Sequence, residues 1–153
     1  MYRKIITILL SSFLLLWFLD EVRSFTSNPE TLDDILLNVF KKFTYITDKE
    51  QYGEDRKISF AKQVKEGKSF KGDCDDFAYT IRDLLIEKGY KAITVLVRTP
   101  PVSNSILHMV VKVDDKYMID NRHPFVRTWK QGVTGSQYHV LSVKEIIEEL
   151  HKK

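Results

Sequence analysis

Gly72-Asp73-Cys74-Asp75-Asp76-Phe77-Ala78 is the stretch on which the reading of this chain turns. It holds the single cysteine among 153 residues. From Cys74 onward, Phe77, Ala78, Ile81, Leu84 and Leu85 recur at helical spacing, and Gly89 suits the position just past a helix end. Cys74 is therefore expected in the first turn of a helix whose apolar face enters the core. A helix N-terminus offers unpaired N–H groups and partial positive charge, which favour a thiolate. The neighbouring Asp73, Asp75 and Asp76 oppose a thiolate unless they point away or hold a cation. A lone cysteine at a helix start is also often a small buried hydrophobe, so the rest of the chain must decide.

Downstream, Ala92 to Val97, Ile106 to Val113 and Tyr117 to Ile119 are apolar, β-branched runs with strand character. Thr99-Pro100-Pro101 separates the first two, and Asp114-Asp115 marks a hairpin turn between the second and third. His108 lies in one strand and Asp120 ends the next, so Cys74, His108 and Asp120 stand in the order of a Cys-His-Asp nucleophilic site. Alternation sets a condition on that site. A two-residue turn would send Asp120 to the face opposite His108, whereas an odd loop such as Asp114 to Lys116 puts both on one face, diagonal to each other. Among the other imidazoles His139 is the second choice. His123 lies in a Pro-containing loop and His151 near the chain end.

Upstream, Ser27-Asn28-Pro29-Glu30 reads as a helix start, followed by Leu32, Ile35, Leu36, Val39, Phe40 and Phe43 at helical spacing. Tyr45 to Gly53 reads as a polar turn. Ile58, Ala61 and Val64 suggest a short helix ending near Gly67. After Asn121 the chain reads as irregular until Tyr138 to Leu141, a candidate last strand, and Ser142-Val143-Lys144-Glu145, a capping box that opens a C-terminal helix. Helices first and antiparallel strands later make an α+β fold.

Arg3 and Lys4 precede an apolar run from Ile5 to Leu19, the n- and h-regions of an export signal. The run falls short of the ~20 apolar residues of a membrane span. Cleavage after Val22-Arg23-Ser24 and retention as an N-terminal anchor are both open. In either case the remainder faces outward, because the basic residues stay inside. The expected organisation is residues 1–24 as signal or anchor and 25–153 as one compact domain. In an oxidising compartment an unpaired thiol is a liability unless it has a use. The formal charge of +3 comes from scattered basic residues. It gives no stripe for nucleic acid.

At these residues the chain resembles the transglutaminase-like superfamily of the papain-like fold, and more closely the bacterial transglutaminase-like cysteine proteinases. Gly72 to Ala78 matches that family's Gly-Asp-Cys-acidic-Asp-aromatic-Ala pattern, Ile106 to Val111 its histidine strand, and Tyr117 to Asn121 its apolar-Asp-Asn strand. Asp48 to Gly53 is similar to the upstream segment where the family usually has Trp-Gly. The likeness spans roughly residues 32–150. It implies N-terminal helices, with the cysteine at a helix start, packed on an antiparallel sheet. It also implies Cys74 as nucleophile, His108 as base and acid, and Asp120 as orienting residue. The oxyanion would be met by the Cys74 N–H and a group near Tyr52, with Asn121 in support. Some members bind calcium beside the cysteine, and the matching positions are Asp73 and Asp75, the latter a Glu in many members. The chemistry itself requires no cofactor.

The function expected is an exported cysteine peptidase or amide hydrolase, periplasmic or secreted, or held at the inner membrane by residues 5–19. It would act through a thioester on a protein or peptide outside the cytoplasm. Acyl transfer to an amine shares the first half-reaction, and a non-catalytic binding module would keep the fold without an activated thiol. The loops Thr99 to Ser105 and Arg122 to Gly135 are the expected recognition segments.

Overall fold

The computed structural model describes residues 30–99, 106–134 and 138–151. The expected leader, the Ser27 helix start and most of the Thr99 to Ser105 loop lie outside the described residues. Helix α1 (Leu32–Phe40) leads into a short strand β1 (Phe43–Tyr45), helix α2 (Asp48–Tyr52) and helix α3 (Ala61–Lys65). Strand β2 (Phe70–Gly72) then feeds helix α4 (Cys74–Glu87). Strands β3 (Ala92–Thr99), β4 (Ile106–Val113), β5 (Tyr117–Ile119) and β6 (Arg127–Thr128) follow, then helix α5 (Trp129–Val133), strand β7 (His139–Val140) and helix α6 (Val143–Leu150). This is the α+β arrangement expected, with the cysteine helix packed on an antiparallel sheet.

The five-stranded sheet has the order β6-β5-β4-β3-β7 and is antiparallel throughout. Helix α4 lays Phe77, Ala78, Ile81, Leu84 and Leu85 against Ala92, Val111, Val113 and Ile119 of the sheet and against Ile35, Leu36 and Val39 of α1. Complete burial of a side chain such as Phe77 or Leu36 contributes about 1.5–3 kcal/mol, so the α1–α4–sheet contact carries much of the fold. Val97, Val110, Met118 and Tyr138 form a second, smaller cluster. Alternation along β4 places Val111 and Val113 in the first cluster and Val110 in the second.

Residues 45–53 are more structured than their polarity suggests. Thr47 and Glu50 make a reciprocal capping box at the start of α2, and Gly53 ends the helix at φ 76°. Strands β1 and β2 pair in parallel, Phe43 to Phe70 through Tyr45 to Gly72. Sequence reading missed this ribbon because three-residue strands carry almost no periodic signal. It also missed β6 and α5, where Thr128 and Gln131 form another capping box. The capping box at Ser142 and Glu145 is present.

The β4–β5 turn has the odd length the site requires. Val113 pairs with Tyr117, leaving Asp114, Asp115 and Lys116 as the loop. Asp114 and Asp115 adopt φ 48° and 59°, the left-handed region that Asp tolerates better than most residues. Asp114 Oδ1 accepts from the Lys91 N–H, and Asp115 pairs with Lys91 and Lys112, which pins the turn. Continuing the ladder one step beyond Val111–Ile119 sets Asp120 across from Val110, on the same face as His108 and diagonal to it.

Candidate active site

Cys74 is the first residue of α4, and Asp73 is its N-cap, with the Asp73 carboxylate accepting from the Asp75 N–H at 3.1 Å. Gly72 is required by packing. A Cβ there would lie 2.5 Å from Asp76 Oδ2 and 2.7 Å from Asp76 Cβ, so any side chain would collide with the helix it introduces. Asp76 in turn accepts from the Ile58 N–H at 2.8 Å, and Thr80 accepts from the Phe60 N–H at 2.9 Å. The extended segment before α3 is thereby tied to the first turns of α4.

Cys74 and His108 line one cleft of about 260 Å³. Phe43, Tyr45 and Leu107 form its apolar walls, and Asn121 and Arg122 its polar edge. Tyr52, the expected oxyanion neighbour, does not line this cleft. It packs under the Arg56 guanidinium and pairs with Gln51, and Tyr45 takes the place beside the thiol. Asn121 is at the cleft, and its Oδ1 is buried without a hydrogen bond.

His108 is buried, 2% exposed, opposite Val97 in the sheet. Its ring stacks on Tyr138 at 5.6 Å, and its Nε2 has no hydrogen-bond partner. Burial and the Arg122 charge push it down to about 4, against the opposing pull of Asp120. Cys74 is also displaced from the expected direction. Burial, reinforced by the charges of Asp73 and Asp75, pushes its thiol up to about 11, although the Met109 N–H points the other way. Both shifts favour a neutral thiol and a neutral imidazole over a thiolate–imidazolium pair in the metal-free protein.

Asp120 is 2% exposed and saturated. Its Oδ1 accepts from the Arg122 N–H at 2.7 Å, the His123 N–H at 3.1 Å and His123 Nδ1 at 3.0 Å. Its Oδ2 accepts from Arg127 at 2.5 Å and the Tyr138 hydroxyl at 2.9 Å. Burial pushes its carboxyl up, but these donors together hold it below the ordinary value. Among the described residues no hydrogen bond joins Asp120 to His108. The imidazole on Asp120 is that of His123, and Asp120 reaches His108 through Tyr138, which donates to one and stacks on the other. His139 instead pairs with Glu145, and His151 bonds to the Ile147 carbonyl, both exposed.

The acidic cluster differs in membership from the expected pair. Asp48, Asp75 and Asp76 each bring a carboxylate oxygen within 4.8 Å of the others. Asp75 remains a member, while Asp73 serves as the helix cap and Asp48 joins from α2. All three side chains are buried, and Asp48 Oδ1, Asp75 Oδ1 and Asp76 Oδ2 have no hydrogen-bond partner. Burial, then the neighbouring Asp73 and the other carboxylates of the cluster, push Asp75 up to about 8, and burial with Asp48 and Asp73 pushes Asp76 to about 6. Three crowded oxygens without donors, supplied by hard anionic ligands, suit a hard divalent cation. Nothing local in the sequence points to Asp48, because its approach to Asp75 depends on the intervening chain folding back.

Cys74 at its helix start and the strand-borne His108 thus line one cleft of an α+β fold, an arrangement in which a thiol and an imidazole share a site. The chain belongs to the bacterial transglutaminase-like cysteine proteinase family (BTLCP), a family of cysteine peptidases, which matches residues 20–145. Among solved structures it is similar to LapG of Legionella pneumophila, at 17% identity and a TM-score of 0.47 over 74% of this chain and 66% of that one. It is also similar to the EGTA-treated form of that protein, at 19% identity and a TM-score of 0.48 over 72% of this chain and 61% of that one. The chain thus spans less than two thirds of the length of those proteins. No curated protein matches it.

Proposed function

We propose that the protein is an exported cysteine peptidase that cleaves an amide bond of a protein or peptide through a thioester on Cys74. The observation that carries this reading is the shared cleft of Cys74 and His108. Because the resting pair is neutral, His108 takes the Cys74 proton as the sulfur attacks the substrate carbonyl. The Cys74 backbone N–H, at the helix N-terminus, would donate to the oxyanion. Collapse gives the thioester, and the proton passes from His108 to the departing amine. Water then attacks, with His108 as base; the carbon–sulfur bond breaks, the acid leaves, and His108 returns the proton to the Cys74 sulfur. Asp120 acts as the third member, through its negative charge and its hold on Tyr138.

Action outside the cytoplasm, with residues 5–19 as signal or inner-membrane anchor, is supported by the n- and h-region pattern. Among the described residues no helix is long and apolar enough to cross a membrane. Mass spectrometry of a peptide library incubated with the full chain is expected to find new free carboxyl ends. Addition of glycine methyl ester is expected to yield no more than a trace of amide adduct. Adducts as the main product would make the protein an acyl transferase, and an intact library would remove the peptidase reading.

The cofactor proposed is calcium, held by Asp48, Asp75 and Asp76. When bound it would neutralise carboxylates beside the nucleophile and so ease thiolate formation. The metal-free protein should reveal the strain in these residues. A carboxyl group raised on folding favours the protonated form, so its stabilising effect is present below its ordinary value of 3.8 and lost as pH rises toward the folded values of about 8 for Asp75 and about 6 for Asp76. With chelator present, denaturant unfolding should therefore report falling stability from about pH 4 to pH 8. Millimolar calcium or Asp75→Asn should flatten that slope. A slope unaffected by both would exclude the site.

A further inference from the structure

We propose that Arg122 is a binding site for a substrate carboxylate, making the Cys74 cleft selective for an acidic group close to the scissile bond. This rests on the peptidase reading and specifies its substrate class. Arg122 lines the cleft, and two contacts place it there. Its main-chain N–H donates to Asp120 at 2.7 Å, and its guanidinium donates to Thr99 Oγ1 at 2.9 Å. Thr99 is itself buried at the end of β3. A guanidinium carries five N–H donors, and the Thr99 contact uses one. Among the described residues no carboxylate pairs with Arg122, whereas Arg127, close by, is occupied by Asp120.

The charge of Arg122 acts into the cleft, since it opposes protonation of His108 and also reaches Tyr45. Asp73 and Glu50 act on Tyr45 with the opposite sign. The cleft is therefore polarised, with anions on the helix side and a cation on the sheet side. A substrate carboxylate is repelled from the first and attracted to the second, where the guanidinium keeps donors that the Thr99 contact does not use. Phe43 and Leu107 are placed to take the carbon portion. A volume of about 260 Å³ lies below the ~300–1,000 Å³ of sites for drug-sized ligands, which suits one or two amino-acid residues. Neutralising Arg122 would also remove a charge that disfavours the imidazolium His108 must become, so binding of an acidic group would assist proton transfer.

The carboxylate could be an Asp or Glu side chain, as in an endopeptidase, or the terminal carboxylate of a peptide. The test exploits the single cysteine of the full chain. Second-order alkylation rates are measured with iodoacetate and iodoacetamide, which differ by a carboxylate, at one ionic strength. Changes in thiol acidity or access affect both reagents, so their ratio isolates the carboxylate. Arg122→Gln is expected to lower the iodoacetate-to-iodoacetamide ratio about five-fold, and Arg122→Lys to retain most of it. Acetyl-Ala-Asp-Ala-amide and the free acid acetyl-Ala-Ala-Ala are then compared as protectants against iodoacetamide. Protection by the first assigns a side-chain carboxylate and by the second a terminal one, in each case lost in Arg122→Gln. A ratio unchanged by Arg122→Gln, or protection by neither peptide, overturns the proposal. An altered ratio in a protein that hydrolyses no peptide would instead remove the peptidase reading and leave the carboxylate site in place.

Discussion

Cys74→Ala is expected to abolish peptide hydrolysis, lowering turnover at least ~10³-fold, because no other group in the cleft can form the thioester. His108→Gln should lose a similar factor. It removes the proton acceptor from a thiol that burial holds at about 11, so attack cannot begin from a preformed anion. The two losses should not add, since nucleophile and base act as one unit. The double variant is expected to be no worse than either single one. Initial rates of library cleavage, measured alongside thermal unfolding, separate this from misfolding. Cys74→Ala removes only a sulfur at the cleft surface and should leave stability within about 1 kcal/mol. Retention of even a tenth of the rate by Cys74→Ala would place the chemistry elsewhere.

The second large effect belongs to Asp120 and is one of stability. Asp120→Ala withdraws the acceptor from the His123 ring, the Tyr138 hydroxyl, two backbone N–H groups and Arg127, whose side chain is only 10% exposed. Removing the anion from a buried ion pair costs about 3–5 kcal/mol, a large share of the ~5–15 kcal/mol of a typical domain. Denaturant unfolding at pH 7 should register this loss, with Tyr138→Phe losing only the ~1 kcal/mol of one hydrogen bond. The pH dependence follows from the depressed carboxyl of Asp120. Its stabilisation is present above the ordinary value of 3.8 and is lost as pH falls through the lower folded value. Asp120→Ala should therefore flatten the acid limb of the stability curve. A loss under 1 kcal/mol would mean that the other contacts of Arg127, such as the Tyr138 ring, hold it without Asp120.

Much of the fold could be read from local pattern. Phe77, Ala78, Ile81, Leu84 and Leu85 mark one face of α4, and Gly89, at φ 88°, stands just beyond its end. The condition that His108 and Asp120 share a face predicted an odd turn, and three residues form it. Helical and strand periods, caps and turn lengths are properties of neighbours in the chain, so a single sequence carries them. The β1–β2 ribbon, β6 and α5 escaped because such short elements owe their existence to what they pack against.

The partners around each functional group were a different matter. Cys74, His108 and Asp120 could be picked out by residue type and order, and the first two do meet at one cleft. Placing Tyr45 rather than Tyr52 beside the thiol required the parallel ribbon, which no periodic signal announces. Gathering Asp48 with Asp75 and Asp76, giving His123, Arg127 and Tyr138 to Asp120, and aiming Arg122 into the cleft all required chain closure between distant segments. The sequence by itself determined the thiol, imidazole and carboxylate that the candidate site offers and the elements that carry them. Tertiary structure decided their partners and their acidity, because desolvation and Coulomb interaction depend on distances through space that local order along the chain does not set.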